Sequence, residues 1–390
     1  MTSPESHLQP DTALQPDTPE ARHYNRAKRW IEIGDLTLSF GFLIVLLASG
    51  WTHSLSDLAR RLGRDHYAFS LFLYILLLSI ISKALGMGLD FYGYRLEHRF
   101  NLSNQRLGSW LGDQVKAWVL GLLLGTVVAE IVYGAMRVSP EYWWFTAWLV
   151  FIPLLIFFTQ IAPVVLFPLF YKFVPLQNEE LKQRLVRLGE RAGTRVRGVY
   201  EWKLSEKSKK ANAALTGLGR TRRIILADTL LQDYDGDEIE AVLAHELGHH
   251  VHGHMMKMIV VQFGVTLLGF WAANEVLQYA IYDQHMFQHL TDFANLPLLA
   301  LVFSFLSLLL MPALNAYSRY AERQADLYCW KSVPSIAPYV SAMKKLNQQN
   351  LGESHPSRMV EILFHSHPSI SNRIAAAEEW ARQHRPSLAT

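Results

Sequence analysis

Apolar residues along the 390-residue chain gather into six long runs, near 33–51, 67–89, 115–136, 142–170, 258–282 and 296–317. A bilayer core takes about 20 apolar residues of helix, and every run but the first supplies them comfortably. Asp35, Thr37 and Ser39 interrupt that first run. Pro153, Pro163 and Pro168 predict a kink or break towards the end of the fourth. Between the fourth and fifth runs the pattern changes to short polar periods. Leu181, Leu185, Leu188 and Ala192 share one face of a predicted helix over 178–192, stopped by Gly193. Val199–Leu204 alternates like a strand. Ala211–Thr216 and Arg222–Ala227 read as two strands around a turn at Gly217–Thr221. From about 318 to the end the chain is polar and helical again. The pattern predicts a mainly α, polytopic membrane protein of about six transmembrane helices with a small β-hairpin or sheet.

Composition supports that division. Charged residues are 18% of the chain and hydrophobic ones 50%, against roughly 25% charged in soluble domains. Mean hydropathy is only +0.09, so the apolar residues are concentrated and polar regions lie elsewhere. The single cysteine, Cys329, excludes an intrachain disulfide framework. A net charge of +3 with no dominant basic block gives nucleic-acid binding no support. Residues 1–20 hold four of the 16 prolines and a repeat, Leu-Gln-Pro-Asp-Thr at 8–12 and 14–18. With no apolar core of a signal peptide, they read as a disordered tail. Arg22, Arg26, Lys28 and Arg29 ahead of the first run put the N-terminus in the cytoplasm. The 283–295 connection carries no Lys or Arg and is expected outside, which leaves 171–257 and both termini cytoplasmic. The 52–66 connection disagrees, carrying Arg60, Arg61 and Arg64 on the outer side.

The chemistry is concentrated at 235–249. Asp235 and Glu238 are spaced as a capping box that starts a helix. On that helix His245 and His249, four apart, project from one face and suit two ligands of a tetrahedral zinc. Glu246, beside the first, can reach a metal-activated water without being a ligand and take its proton during attack on a peptide carbonyl. Chance supplies at most roughly 0.06 such matches in a chain of this composition. A third ligand is needed. Glu322 and Asp326, again four apart, follow the sixth run directly; Glu322 can complete the zinc shell and Asp326 can hydrogen-bond a ligand histidine. A solvated charged face at a membrane boundary fits the same spacing.

The ordered set of motifs resembles the type I CAAX prenyl proteases, integral-membrane zinc endopeptidases related to the heat-shock protease HtpX. It comprises His245, Glu246 and His249 with a further His254, a two-span hairpin, then Ser318, Arg319, Glu322, Ala325 and Asp326. Glu97–Gln105, Asn212 with Ala213, Arg223–Leu231, and His365–Pro368 with Arg373 match further family segments, so the likeness covers about 25–380. The resemblance implies one zinc per chain, held by His245, His249 and Glu322, with Glu246 as base and Asp326 behind a ligand. It places His367 and Arg373 near the scissile carbonyl as oxyanion stabilisers, and Asn212 and Ala213 on an edge strand that pairs with substrate. It implies a large intramembrane chamber around the site. It also implies a peptide or protein substrate, prenylated substrates being offered by the family name, in a bacterial cell membrane or the endoplasmic reticulum. The chain then divides into a tail (1–20), about four membrane helices (21–170), a cytoplasmic metalloprotease region (171–257), a membrane hairpin (258–317) and the rest of the catalytic domain (318–390). Ser369 stands where the family usually has a second proline, and Ala214 where an aromatic is common.

Other residues carry weaker expectations. Of His250, His252 and His254, only His254 shares the approximate face of the zinc pair, and the expectation is solvated or hydrogen-bonded rings. Cys329 is expected buried and inert. Glu130, Lys83, Asn274 and Glu275 lie in or near spans, where ionisable groups are costly. Lys207, Lys209, Lys210, Arg220, Arg222 and Arg223 are expected to meet lipid headgroups or water. Two other readings are an HtpX-like quality-control protease and a non-enzymatic scaffold or transporter; pure metal binding would not require Glu246.

Overall fold

A computed structural model describes residues 17–217 and 222–384. Helix α1 (Pro19–Ala48) opens on Thr18, whose hydroxyl accepts from the Ala21 N–H, with Pro19 in the first turn. The next helices are α2 (Trp51–Leu62), α3 (Tyr67–Arg99), α4 (Leu107–Val138) and α5 (Trp143–Ile161). Helix α5 runs through Pro153, then widens into a π turn at Ala162–Leu166 and a tight turn at Phe167–Leu169, where the later prolines predict a break. Among the described residues six helices are long and apolar enough to cross a membrane. Protein buries at most 28% of the residues in their most apolar windows, so their remaining surface suits lipid.

Three expectations change. The first span starts at Pro19, because nothing between Arg22 and Gly34 breaks the helix; the tail reading holds residues in α1 at its end, and its residues 1–16 lie outside the described ones. The arginine-bearing 52–66 connection is mostly α2, an amphipathic helix on α3. Its Arg60 sits 4.3 Å from the centre of the Phe293 ring and 3.3 Å from Asp292, a use inside the protein that a count of loop charges does not see. The lysines near the hairpin are also engaged by protein. Lys207 reaches Asp113 and the Phe170 carbonyl, Lys210 reaches Glu97, and Lys209 reaches Asn101. The turn residues 218–221, and Arg220 with them, lie outside the described residues.

The polar region folds into a sheet backed by helices. Strand β1 (Phe173–Pro175) leads to α6 (Glu179–Arg191), then β2 (Gly198–Trp202), β3 (Ala213–Thr216) and β4 (Arg223–Ala227). The order is β1-β2-β4-β3, with β3 antiparallel to β4 (Ala213 opposite Leu226) and at the edge. After the short α7 (Asp228–Asp233) comes α8 (Gly236–Val251). Both halves of its capping box form: Asp235 accepts from Asp237 and Glu238 N–H, and Glu238 accepts from Asp235 N–H, each at 2.9 Å. Helix α9 (His254–Gln278) returns to the membrane. Helix α10 (Leu296–Ser332) leaves it without interruption, so Glu322 and Asp326 ride on the same rod as the sixth span. Helices α11 (Ala337–Gln349), α12 (Arg358–Phe364) and α13 (Ile370–His384) complete the fold. Leu185, Ile224, Leu226, Ala244, Leu247, Tyr339 and Ala377 are fully buried in one core joining sheet, α8 and the C-terminal helices.

The approach of α8 to α10 is set by Gly248. A Cβ there would lie 2.7 Å from Ala325 Cα and 2.9 Å from its carbonyl oxygen, both rigid backbone. Gly248→Ala is therefore expected to push the two helices apart and cost about 1–3 kcal/mol. A thermal melt in detergent, read beside metal content, checks it; an unshifted melt contradicts the close-contact argument. A cavity of about 570 Å³ lies among the membrane helices, lined chiefly by apolar residues including Phe42, Ile75, Val128, Trp143, Phe270 and Phe303.

Candidate active site

Helices α8 and α10 bring their paired side chains face to face. His245 Nε2 lies 3.3 Å from Glu322 Oε2, His249 Nε2 lies 3.2 Å from Glu322 Oε1, and the two imidazole Nε2 atoms are 3.2 Å apart. One ligand atom from each of the three residues lies within 4.8 Å of the others. Glu322 is buried, and its Oε2 has no hydrogen-bond partner. Lone-pair atoms converging with one oxygen unsatisfied make a set that a tetrahedral cation fits. Charge agrees with geometry. Burial alone would lower the His245 pKa, but the adjacent Asp326 and Glu322 carboxylates outweigh it and raise it to about 9. The pocket draws positive charge.

Behind His245 stands a braced carboxylate. Asp326 Oδ1 lies 2.9 Å from His245 Nδ1. Arg373 donates to both Asp326 oxygens, at 2.6 and 2.9 Å, in the two-pronged geometry that guanidinium and carboxylate share. This leaves Arg373 buried behind the imidazole, with its Nη2 3.7 Å from Glu322 Oε2. His367 is different: 61% of its side chain is exposed, its Nε2 is 3.3 Å from Glu322 Oε1, and its Nδ1 meets Ser366 Oγ at 2.9 Å.

A cleft of about 700 Å³ runs past these groups, and Asn212, Ala213, His245, Glu246, Glu322 and His367 all line it. Ala213 pairs with β4 on one side only, so β3 offers the cleft a strand edge. Burial raises the Glu246 pKa above the ordinary carboxylate range, aided by the charge of Glu322 and opposed by the two histidines. The cleft wall is also tied to α1. Asp17 accepts from Ser354 and His355 N–H at 2.6 and 3.2 Å, Asn25 donates to the Leu351 carbonyl at 2.7 Å, and Arg29 pairs with Glu353. No local pattern around Asp17 signals a partner over 300 residues away.

The candidate ligand, catalytic and substrate-strand residues are thus brought together, while those singled out in the membrane lie elsewhere. There Glu130 pairs with Arg137 at 3.7 Å, Lys83 with Asp90 at 2.7 Å, and Asn274 accepts from Trp143 Nε1 at 2.8 Å. Cys329 is buried with its Sγ 3.2 Å from the Ala241 carbonyl, as an inert thiol would be. His254, expected as a solvated or hydrogen-bonded ring, is buried, with its Nδ1 3.0 Å from His249 Nδ1.

Comparisons with known proteins agree with this geometry. Residues 175–381 match peptidase family M48, and residues 9–172 match a CAAX prenyl protease N-terminal region described as five membrane helices. The uncharacterized metalloprotease YhfN of Bacillus subtilis is 32% identical over 362 residues, covering 92% of this chain and 85% of that one. CAAX prenyl protease 1 of Saccharomyces cerevisiae is 27% identical over 322 residues, covering 77% and 70% respectively. The crystal structure of S. mikatae Ste24p shares the fold, with a TM-score of 0.83 at 24% identity over 92% of this chain and 88% of that one. A largely buried His-His-Glu set beside an open cleft, six membrane-length helices and these matches converge: the chain belongs to peptidase family M48 and is a multi-pass membrane metalloendopeptidase.

Proposed function

We propose that the metal is one Zn²⁺ per chain, held by His245, His249 and Glu322, and that the enzyme cleaves peptides laid along β3. The observation that carries this reading is the convergence of those three ligand atoms on one point of a cleft that Glu246 also lines. When bound, zinc lowers the pKa of water towards 7 and polarises a carbonyl. The chain's own residues do the rest. Glu246 accepts the proton of the attacking water and passes it to the leaving amine. The backbone at Asn212 and Ala213 extends the sheet with the substrate strand, which fixes the scissile bond beside Glu246. His367, exposed on the cleft, donates to the oxygen on which charge develops. Arg373 gives two N–H groups to Asp326 and also lines the cleft, so it holds the Asp326–His245 pair and adds positive charge beside the oxyanion.

Prenylated C-terminal peptides are the substrate class that the relatives named CAAX prenyl protease 1 support. The apolar cavity among the spans suits an isoprenoid chain. In this reading the active site faces the cytoplasm, in a bacterial cell membrane or the endoplasmic reticulum, with bilayer lipid around the spans. The test is turnover of one peptide sequence with and without a farnesyl group by the purified enzyme, with cleavage sites mapped. Faster cleavage of the farnesylated form is expected. Equal turnover points to general membrane-protein quality control, and no cleavage of either peptide removes the CAAX-type substrate reading.

A further inference from the structure

The two histidines of the candidate metal site are braced differently. His245 rests on a carboxylate, Asp326. His249 rests on a third imidazole, and the connection continues. Gly253, with φ at +66°, turns the chain between α8 and α9 so that His254 begins the new helix above the old one. His254 Nδ1 faces His249 Nδ1 at 3.0 Å, and its Nε2 faces Gln324 Oε1 at 2.9 Å. The Gln324 amide nitrogen donates to the Tyr320 hydroxyl at 3.1 Å. Gln324 lies on α10 between Glu322 and Asp326, two residues from each.

With the Gln324 amide nitrogen turned to Tyr320, this order assigns the protons. Gln324 presents its carbonyl oxygen, which only accepts, so the proton of His254 is on Nε2. His254 Nδ1 then carries a lone pair and accepts from His249 Nδ1–H. The proton of His249 is therefore held on the side away from the cleft, and its Nε2 lone pair points at Glu322 and His245. We propose that His254, fixed by Gln324, is a positioning residue that sets the tautomer and ring orientation of His249 for metal binding. This inference rests on the zinc reading above. It gives α10 three functions at once: it supplies the ligand Glu322, the charged brace of His245, and, in Gln324, the group that orients the neutral brace of His249.

The test measures zinc release to a competing chelator, and the visible spectrum of the Co²⁺-substituted protein, on purified full-length chains. His254→Ala is expected to speed metal loss by about 10–100-fold and to perturb the Co²⁺ bands. His254→Asn puts an acceptor oxygen near the Nδ1 position, and its release rate is expected within roughly threefold of wild type. Gln324→Leu leaves the His254 ring in place and removes only its orientation, so it moves both readouts in the same direction as His254→Ala. Should His254→Ala fold poorly, Gln324→Leu decides. Wild-type release and spectrum in His254→Ala, or in Gln324→Leu, overturn the proposal. Failure of the wild-type chain to retain zinc at all would overturn the metal assignment itself, a result read without any variant.

Discussion

Glu246→Gln is expected to keep its zinc and lose peptide hydrolysis by about 10²–10⁴-fold, the usual contribution of a positioned general base. The substitution changes almost nothing else. The amide matches the carboxylate in size, so the packing of α8 against β3 and α10 is kept. Glu246 is not among the three residues whose atoms converge, so the ligand set is untouched. What disappears is the capacity to accept a proton beside the cleft. Burial raises the Glu246 pKa, which makes the carboxylate a stronger base than a surface glutamate. Metal analysis and single-turnover cleavage in detergent, run side by side, separate the two properties. Cleavage at the wild-type rate would remove Glu246 from the mechanism, whereas loss of metal would make it a ligand or a structural support.

What could be read from sequence follows the range of the interactions. The six spans are legible because about 20 consecutive apolar residues have few other stable uses. Asp235 with Glu238 and His245 with His249 are legible because a helix fixes three- and four-residue spacings locally. Glu322 and Asp326 are half-legible: their mutual spacing is local, but their meeting with α8 depends on Gly248 letting α10 approach. The rest is long-range. The two hydrogen bonds from Arg373 to Asp326 join positions 47 apart, and no periodicity announces them. Asp17 lies in a Pro-rich stretch that reads as tail, yet its carboxylate meets N–H groups of a loop 337 residues away. Strand β1 is three residues long, too short for alternation to show. Helix α2 was hidden by its arginines, which suggest water until Phe293 and Asp292 are seen beneath Arg60.

Glu322→Ala is expected to weaken zinc binding by more than the roughly 100-fold that marks the loss of an outer-shell partner, because a direct ligand is removed. Two neutral imidazoles would remain, with no anionic ligand to offset the charge of the ion. The fold should survive, since Asp326, Arg373 and His245 still satisfy one another and the Ala side chain leaves only a small gap at the cleft. That separates two measurements. The melting temperature of the metal-free protein should change little. The rise in melting temperature on adding zinc, about 4 kcal/mol of stabilisation for wild type at a thousandfold excess over Kd, should collapse. Glu322→Gln retains an oxygen donor without the charge and should fall between, which distinguishes loss of the ligand atom from loss of its charge. Full zinc occupancy in Glu322→Ala after dialysis that leaves wild type loaded would mean that the third ligand comes from elsewhere. His367, with its Nε2 3.3 Å from Glu322 Oε1, would then be the first residue to mutate.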